Sequence, residues 1–316
     1  MNLSKTKEFS LTDKELKHLR DYGYVGPFDL YESDEIKAIW RRERIRLLDR
    51  TNAIYKENTI SGSTNIANYD RHLDNEFLAK HICLPQITHR LSSLVGENLT
   101  CWRSEFFPKY PGDAGTDWHQ ADTFENAGGK PQLVWPDSSG FGGTLSVWTA
   151  FSDTDRNSAC LQFIPGTHEE MFYDEHKAME YNPELNDKLE RNGERKSFFG
   201  YDYRNLQKDS DWEPDESKAV SIEMKAGQFV IFWSTLMHAS HAHKGLDNQP
   251  MRMGYSVRYV PSFVDVYPNL EEITQFGGSI SLENYGTVVV SGENLNSKNK
   301  VATHTMGGTP FSDYRE

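Results

Sequence analysis

From Asn98 onward the chain carries five short runs, LTCWRSEFF, GTLSVWTAF, CLQFI, GQFVIFW and MGYSVRYV, rich in aromatic and β-branched residues. Gly, Pro and Asp turns separate them, and this spacing predicts an antiparallel sandwich or barrel rather than a parallel sheet. Ahead of them the chain reads helical, over residues 11–96. Thr12 is placed to cap a helix through Leu16 and Leu19 that Gly23 closes. The segment YVGPF reads as a strand. Ser33 is placed to cap a second helix running toward Asp49, with Asp34 and Glu35 suited to its first turn. Pro85 to Leu94 suggests a third helix, with Gly96 beyond its end. Between the third and fourth strand runs lies an insertion, about 168–220, that is charged and dotted with aromatics. Connections of this length are usually functional or disordered, and Phe198-Phe199-Gly200-Tyr201 points to an ordered lid. Residues 269–316 read as a C-terminal extension with a small hairpin. No linker divides the chain, so 1–316 reads as one domain with its β core at about 98–268.

With 316 residues, 37 % of them hydrophobic, the chain can bury a sizeable core. Its net charge of -13 argues against a nucleic-acid partner. No apolar run approaches the ~18 residues of a membrane span, and the first residues lack the apolar core of a signal peptide. Cys83, Cys101 and Cys160 sit far apart with no CxxC pair, as expected of buried thiols in a reducing compartment. A cytoplasmic enzyme, with no membrane partner, is the expectation.

Two of the eleven histidines stand out by context. His119 lies in GTDWHQADTF, after a Gly-rich turn, and His238 ends GQFVIFWSTLMHAS, a Gly turn followed by an apolar strand. Facial-triad iron oxygenases use two histidines and one carboxylate. The carboxylate follows the first histidine by two residues, because alternate residues of an extended segment share a face. Here that position is Ala121. Asp122 comes one residue later and would point away, unless a bulge turns it back. If Ala121 faces the metal, two neutral imidazoles leave an anionic ligand missing and a position open, and a halide ion suits both deficits.

The frames WHQAD, CLQFIPGTH and GQFVIFWSTLMHASH resemble the phytanoyl-CoA hydroxylase-like dioxygenases. ISGSTNIANYDRHLD, CWRSEFFPKYPGDAGTDWHQADTF, FFGYDYR, FWSTLMHAS and MRMGYSVRYVPSFVDVYP bring the likeness closer to the carrier-protein-dependent halogenases of the syringomycin threonine type. It covers nearly the whole chain from about Leu11. The resemblance implies a mainly β fold with flanking helices around a double-stranded β-helix, the jelly roll of cupin-like proteins. It implies His119 and His238 as iron ligands and Ala121 as the halide opening. It implies Arg252 as the partner of the distal carboxylate of 2-oxoglutarate, a bidentate task that suits a planar guanidinium; the alternative is a surface arginine between two methionines. Trp148 would contact the same cosubstrate or simply fill core. Asn126, Ser146 and Arg258 resemble the polar set around a chloride, with Ser146 standing where the family type carries threonine. Glu105, Phe107, Phe199 and Ser234 resemble substrate-pocket residues, Glu105 near a substrate amine; core packing accounts equally well for the phenylalanines.

The implied reaction is oxidative chlorination of an unactivated aliphatic carbon, coupled to decarboxylation of 2-oxoglutarate to succinate. Its cofactors would be Fe(II), 2-oxoglutarate, chloride and O2. The implied substrate is an aminoacyl thioester on a peptidyl carrier protein in nonribosomal peptide or related biosynthesis. Carrier proteins are commonly acidic, and WRRERIRLLDR (40–50) is a candidate docking helix, or a solvated face. Two rivals stand: a hydroxylase of the same fold using Asp122 or water in the open position, and a non-catalytic jelly-roll binding module.

Overall fold

All five aromatic runs are strands, and four of them lie in one sheet. The computed structural model describes residues 7–49, 51–52, 60–61, 69–125, 129–137, 142–186, 188–246, 249–275 and 278–315. The major sheet is antiparallel throughout, in the order β1 (Tyr24–Asp29), β11 (Gln228–Trp233), β6 (Leu145–Ala150), β13 (Arg252–Pro261), β3 (Leu99–Lys109) and β17 (Val288–Ser291). A minor sheet of β10 (Val220–Ile222), β7 (Leu161–Phe163) and β12 (His238–Ser240) accompanies it. The two sheets form a jelly-roll core with helices outside, as expected from the sequence.

Smaller sheets complete the chain. The insertion folds on β4 (Gly115–Thr116), which pairs in parallel with β9 (Glu194–Ser197), itself antiparallel to β8 (Leu189–Arg191). β5 (Leu133–Val134) pairs with β14 (Asp265–Val266), and β15 (Glu272–Gln275), β16 (Gly278–Ser281) and β2 (Ile60–Ser61) form a three-stranded ribbon.

Helix α1 (Asp13–Tyr22) starts at the expected Thr12 cap, which forms a capping box with Glu15, and has a left-handed Gly23 at its end. In α2 (Ser33–Leu47) the cap is Glu32, without a side-chain bond, so Ser33 is the first helical residue rather than the cap. α3 (Glu76–Ile82), which was not expected, has only seven residues and is capped by Asn75; two turns are too few for a 3.6-residue period to show. α4 (Pro85–Val95) starts on its proline and ends before Gly96. The C-terminal stretch does more than append a hairpin: β17 pairs with β3 and supplies an edge of the major sheet. β1 supplies the other, so both edges come from outside 98–268. The three cysteines are free and buried, and among the described residues no helix is long and apolar enough to cross a membrane.

The major sheet separates two interiors. On its outer side Phe151, 1 % exposed, meets Trp40 of α2, Phe77 and His81 of α3, and Phe106 and Tyr255 of the sheet, with ring centroids 5.7–6.3 Å apart. On the inner side Leu161, Phe163, Ile222, Val230, Phe232 and Leu236 pack between the sheets. Because Phe151 joins two helices to the sheet, Phe151→Ala should cost about 3–5 kcal/mol, read from the urea midpoint at unchanged slope. A loss below about 1 kcal/mol would show that the helices dock by other contacts.

Candidate functional site

A cavity of about 1130 Å³, counting the space at its mouth, opens between the two sheets. Strand alternation supplies its floor. On β13 the residues Arg252, Gly254, Ser256 and Arg258 share one face, opposite Lys109, Phe107 and Glu105 of β3 and beside Trp148 and Ser146 of β6. Every side chain in that set lines the cavity. The other face of β13, Met253, Tyr255, Val257 and Tyr259, belongs to the apolar layer under the helices. Gly254 has a steric reason: a Cβ there would lie 1.9 Å from the Trp148 ring, so only glycine leaves room for the indole against the strand.

His119 and His238 face each other across the cavity wall as an antiparallel bridge. Each main-chain N–H donates to the other's carbonyl at 3.0 Å, and the ring centroids are 3.9 Å apart. The Nδ1 of His119 is 2.8 Å from the Asp117 carbonyl, and that of His238 is 2.7 Å from the Leu236 carbonyl. A carbonyl oxygen only accepts, so each Nδ1 carries the proton and each Nε2 keeps its lone pair. Burial drives the His119 pKa down to about 4 and that of His238 well below the usual range. Both rings are therefore neutral and ready to ligate.

Ala121 lines the same cavity, its N–H bonded to the Ser234 carbonyl at 2.9 Å. Asp122 turns the other way, into a separate cavity beside Arg20, His168 and Trp233. There it accepts from the Gly143 N–H, and burial raises its pKa. The bulge that would bring Asp122 to the histidines is not present. Among the described residues no third His, Cys, Asp or Glu completes a metal-binding group with the pair.

Arg252 is 2 % exposed, and its Nε has no hydrogen-bond partner. No carboxylate among the described residues pairs with it; its guanidinium lies 5.2 Å from the Trp148 ring centre, and burial lowers its pKa to about 10. A buried cation without a counter-ion is costly unless an anion arrives. It is not the surface arginine of the alternative reading. The pair of free imidazole nitrogens and the orphaned Arg252 together fit a metal and a carboxylate cosubstrate.

The remaining expected residues gather here, with one exception. Ser146 and Arg258 are cross-strand partners, and Arg258 forms an ion pair with Glu105 and lies over Phe124. Phe107 and Phe199 line the mouth, and their rings approach each other. Ser234 also knits the wall: its hydroxyl donates to the Ala121 carbonyl at 2.6 Å and accepts from the Thr144 N–H at 2.9 Å. Asn126 lies outside the described residues. The sequence reading missed Ser256 and Lys109, although each continues an alternation already marked by Arg252 and Glu105. It also missed Thr116, Phe124 and Ser240, which no local pattern announces, while Phe198 of the expected lid cluster does line the cavity. Phe124 and Phe199 hold left-handed backbones (φ +60° and +53°), a strain that clusters at functional sites.

The Phytanoyl-CoA dioxygenase (PhyH) family signature matches residues 19–253, and the chain belongs to that family, whose members are iron- and 2-oxoglutarate-dependent oxygenases. The peroxisomal phytanoyl-CoA dioxygenase of Rattus norvegicus is 26 % identical over 189 residues, 58 % of this chain and 46 % of the rat protein, so the chain spans about half the length of that relative. The solved structure of CytC3 with Fe(II) and alpha-ketoglutarate, another name for 2-oxoglutarate, superposes with a TM-score of 0.71 at 38 % identity, covering 96 % of this chain and 97 % of that one. The carbocyclase SnoK from nogalamycin biosynthesis, 19 % identical with a TM-score of 0.56 over 84 % of this chain and 90 % of its own, shares the fold. This is an enzyme of the Fe(II)/2-oxoglutarate oxygenase class, and its cofactors are Fe(II) and 2-oxoglutarate.

One buried acid tethers the insertion to this wall. Glu175 accepts from the Thr123 N–H at 2.6 Å and from its hydroxyl at 2.8 Å, yet burial pushes its pKa from 4.5 up to about 7. The folded-state value lies above the unfolded one, so the group favours folding while protonated. Its contribution is complete below pH ~4.5 and is lost as the pH rises through about 7. Stability should therefore fall by about 3 kcal/mol between pH 4.5 and 8 from this group. Glu175→Gln should remove that slope in urea titrations at each pH; an unchanged slope would show that Glu175 stays ionised.

Proposed function

We propose that this oxygenase-class protein is a halogenase that chlorinates an unactivated aliphatic carbon. Its substrate in this reading is an aminoacyl group held as a thioester on a peptidyl carrier protein, in nonribosomal peptide or related biosynthesis. The observation that carries the reading is Ala121, which lines the cavity with His119 while Asp122 points into another one. Where a facial-triad enzyme has a carboxylate, this chain has a methyl group. Two neutral imidazoles leave the ferrous charge under-compensated, and chloride restores one negative charge in the space a carboxylate would fill.

In this reading the Nε2 atoms of His119 and His238 hold the iron. Arg252, braced by Trp148, holds the distal carboxylate of 2-oxoglutarate. Bound iron with 2-oxoglutarate and O2 supplies an oxidant able to take hydrogen from an aliphatic carbon. Ser146 and Arg258 flank the halide, with Asn126 assigned to the same group by the sequence likeness alone. Glu105 receives the substrate ammonium, and its ion pair with Arg258 links the substrate side to the halide side. Phe107 and Phe199, with Ser234 behind them, shape the pocket, and Phe198 and Tyr201 close it against water. The last turns of α2 are the docking face for an acidic carrier: Arg41 and Arg44 are exposed there beside Ile45 and Leu48. The setting is cytoplasmic.

Anaerobic protein loaded with Fe(II) and 2-oxoglutarate should show a metal-to-ligand absorption band that shifts saturably with chloride. Ala121→Asp should keep the iron and lose the shift. A wild-type band indifferent to chloride would overturn the halogenase reading in favour of a hydroxylase, and no band at all would leave only a binding module. Arg252 offers an independent check. Arg252→Met should stabilise the ligand-free protein by about 1 kcal/mol or more, since it removes a buried unpaired charge. It should also abolish the rise in melting temperature on adding 2-oxoglutarate. A destabilised variant that still responds to the cosubstrate would contradict the role given to Arg252.

A further inference from the structure

The 168–220 insertion lines part of the cavity and also grips the metal-bearing segment from behind, where Gln120 is the centre of the grip. Gln120, between His119 and Ala121, is fully buried. Its amide nitrogen, with two hydrogens to share, lies within hydrogen-bond distance of the carbonyls of Thr167 at 3.1 Å, Glu170 at 2.8 Å and Thr235 at 2.6 Å. Its amide oxygen accepts from the Phe172 N–H at 2.8 Å, and its main-chain carbonyl accepts from the Tyr203 hydroxyl. Thr235 belongs to the turn that leads into His238, in which the Leu236 carbonyl also orients the His238 ring. One side chain therefore ties together the segment of the first histidine, the turn before the second, and the start of the insertion.

Neighbouring contacts repeat the pattern. The Tyr173 hydroxyl donates to the Trp118 carbonyl at 3.0 Å. Arg191 pairs with Asp117 at 2.9 Å, both side chains buried, and the Asp117 carbonyl is the one that orients His119. Phe198 and Tyr203 lie edge-on against the His119 ring, at 4.6 and 5.6 Å. A lid that swings away would have to break all of these buried hydrogen bonds and ring contacts together.

We propose that Gln120 is a positioning residue for the metal centre, and that the insertion is a fixed clamp on the two histidine-bearing segments rather than an opening lid. Gln120 touches neither metal nor substrate; it sets the spacing and direction of the two imidazoles through the backbone. The inference rests on the assignment of His119 and His238 as the iron ligands.

The test is anaerobic titration of the full chain with Co(II), a spectroscopic stand-in for Fe(II), following both affinity and the ligand-field absorption spectrum. Gln120→Glu keeps the shape but removes the amide donors, and should weaken Co(II) binding by about tenfold or more with an altered spectrum. Tyr203→Phe removes only one hydroxyl, so it keeps the question answerable if the glutamate variant does not fold. It should weaken binding a few-fold and shift the spectrum while melting near the wild-type temperature. Wild-type affinity and spectrum in the folded variants, whatever their melting temperatures, would overturn the positioning role alone. Co(II) uptake that survives His119→Ala and His238→Ala, or no uptake by the wild type, would overturn the iron reading and this inference with it.

Discussion

The centre depends on one reciprocal pair of backbone hydrogen bonds. His119 and His238 are far apart in sequence, and the exchange of N–H and C=O at 3.0 Å in both directions joins their segments in antiparallel register. An antiparallel pair places directly opposed side chains on the same side of the ribbon, which brings the two imidazoles together before any metal arrives. The carbonyls two residues back in each segment then lock both rings in the same tautomer. Shifting either segment by one residue would send its histidine to the opposite face and expose a neighbour instead. This is why Ala121 shares the cavity with His119 and Asp122 does not.

The same alternation explains how a well-buried sheet carries so much polarity. The inner face of β13 presents Arg252, Ser256 and Arg258, while the outer face is apolar and packs under the helices. Arg258 is answered by Glu105, whereas Arg252 lies over the Trp148 ring and makes no ion pair with a carboxylate among the described residues. A folded protein retains an uncompensated buried cation only where it is of use. The imbalance at Arg252 and the missing carboxylate at position 121 lie in one cavity, and each is the kind of deficit that an anion relieves.

Much of this was legible in the sequence because it follows from short-range periodicity. The five aromatic runs became strands, and Thr12, Gly23, Pro85 and Gly96 marked helix ends through backbone preferences that act within a few residues. Arg252 was readable because a charge alternating into an apolar strand needs a partner. What escaped was set by distance or brevity. α3 is too short to show a period, and β17 is a brief run in a polar tail whose place in the sheet is decided by β3. Gln120 looked like any polar residue, because its partners at Thr167, Glu170, Phe172 and Thr235 are distant in sequence. Thr116 and Ser240 likewise reach the cavity only through the pairing of strands remote in the chain.

The most direct measurement is a crystal grown anaerobically with Fe(II), 2-oxoglutarate and bromide, with anomalous data collected at the bromine edge. Bromide is the heavier analogue of the chloride inferred here and scatters strongly enough to be located without ambiguity. The expected result is a bromine peak at the metal, on the side facing the Ala121 methyl group, with Asp122 still bonded to the Gly143 N–H. A metal without a halide neighbour, or one ligated by Asp122, would contradict the claim that position 121 is the opening that makes this oxygenase a halogenase.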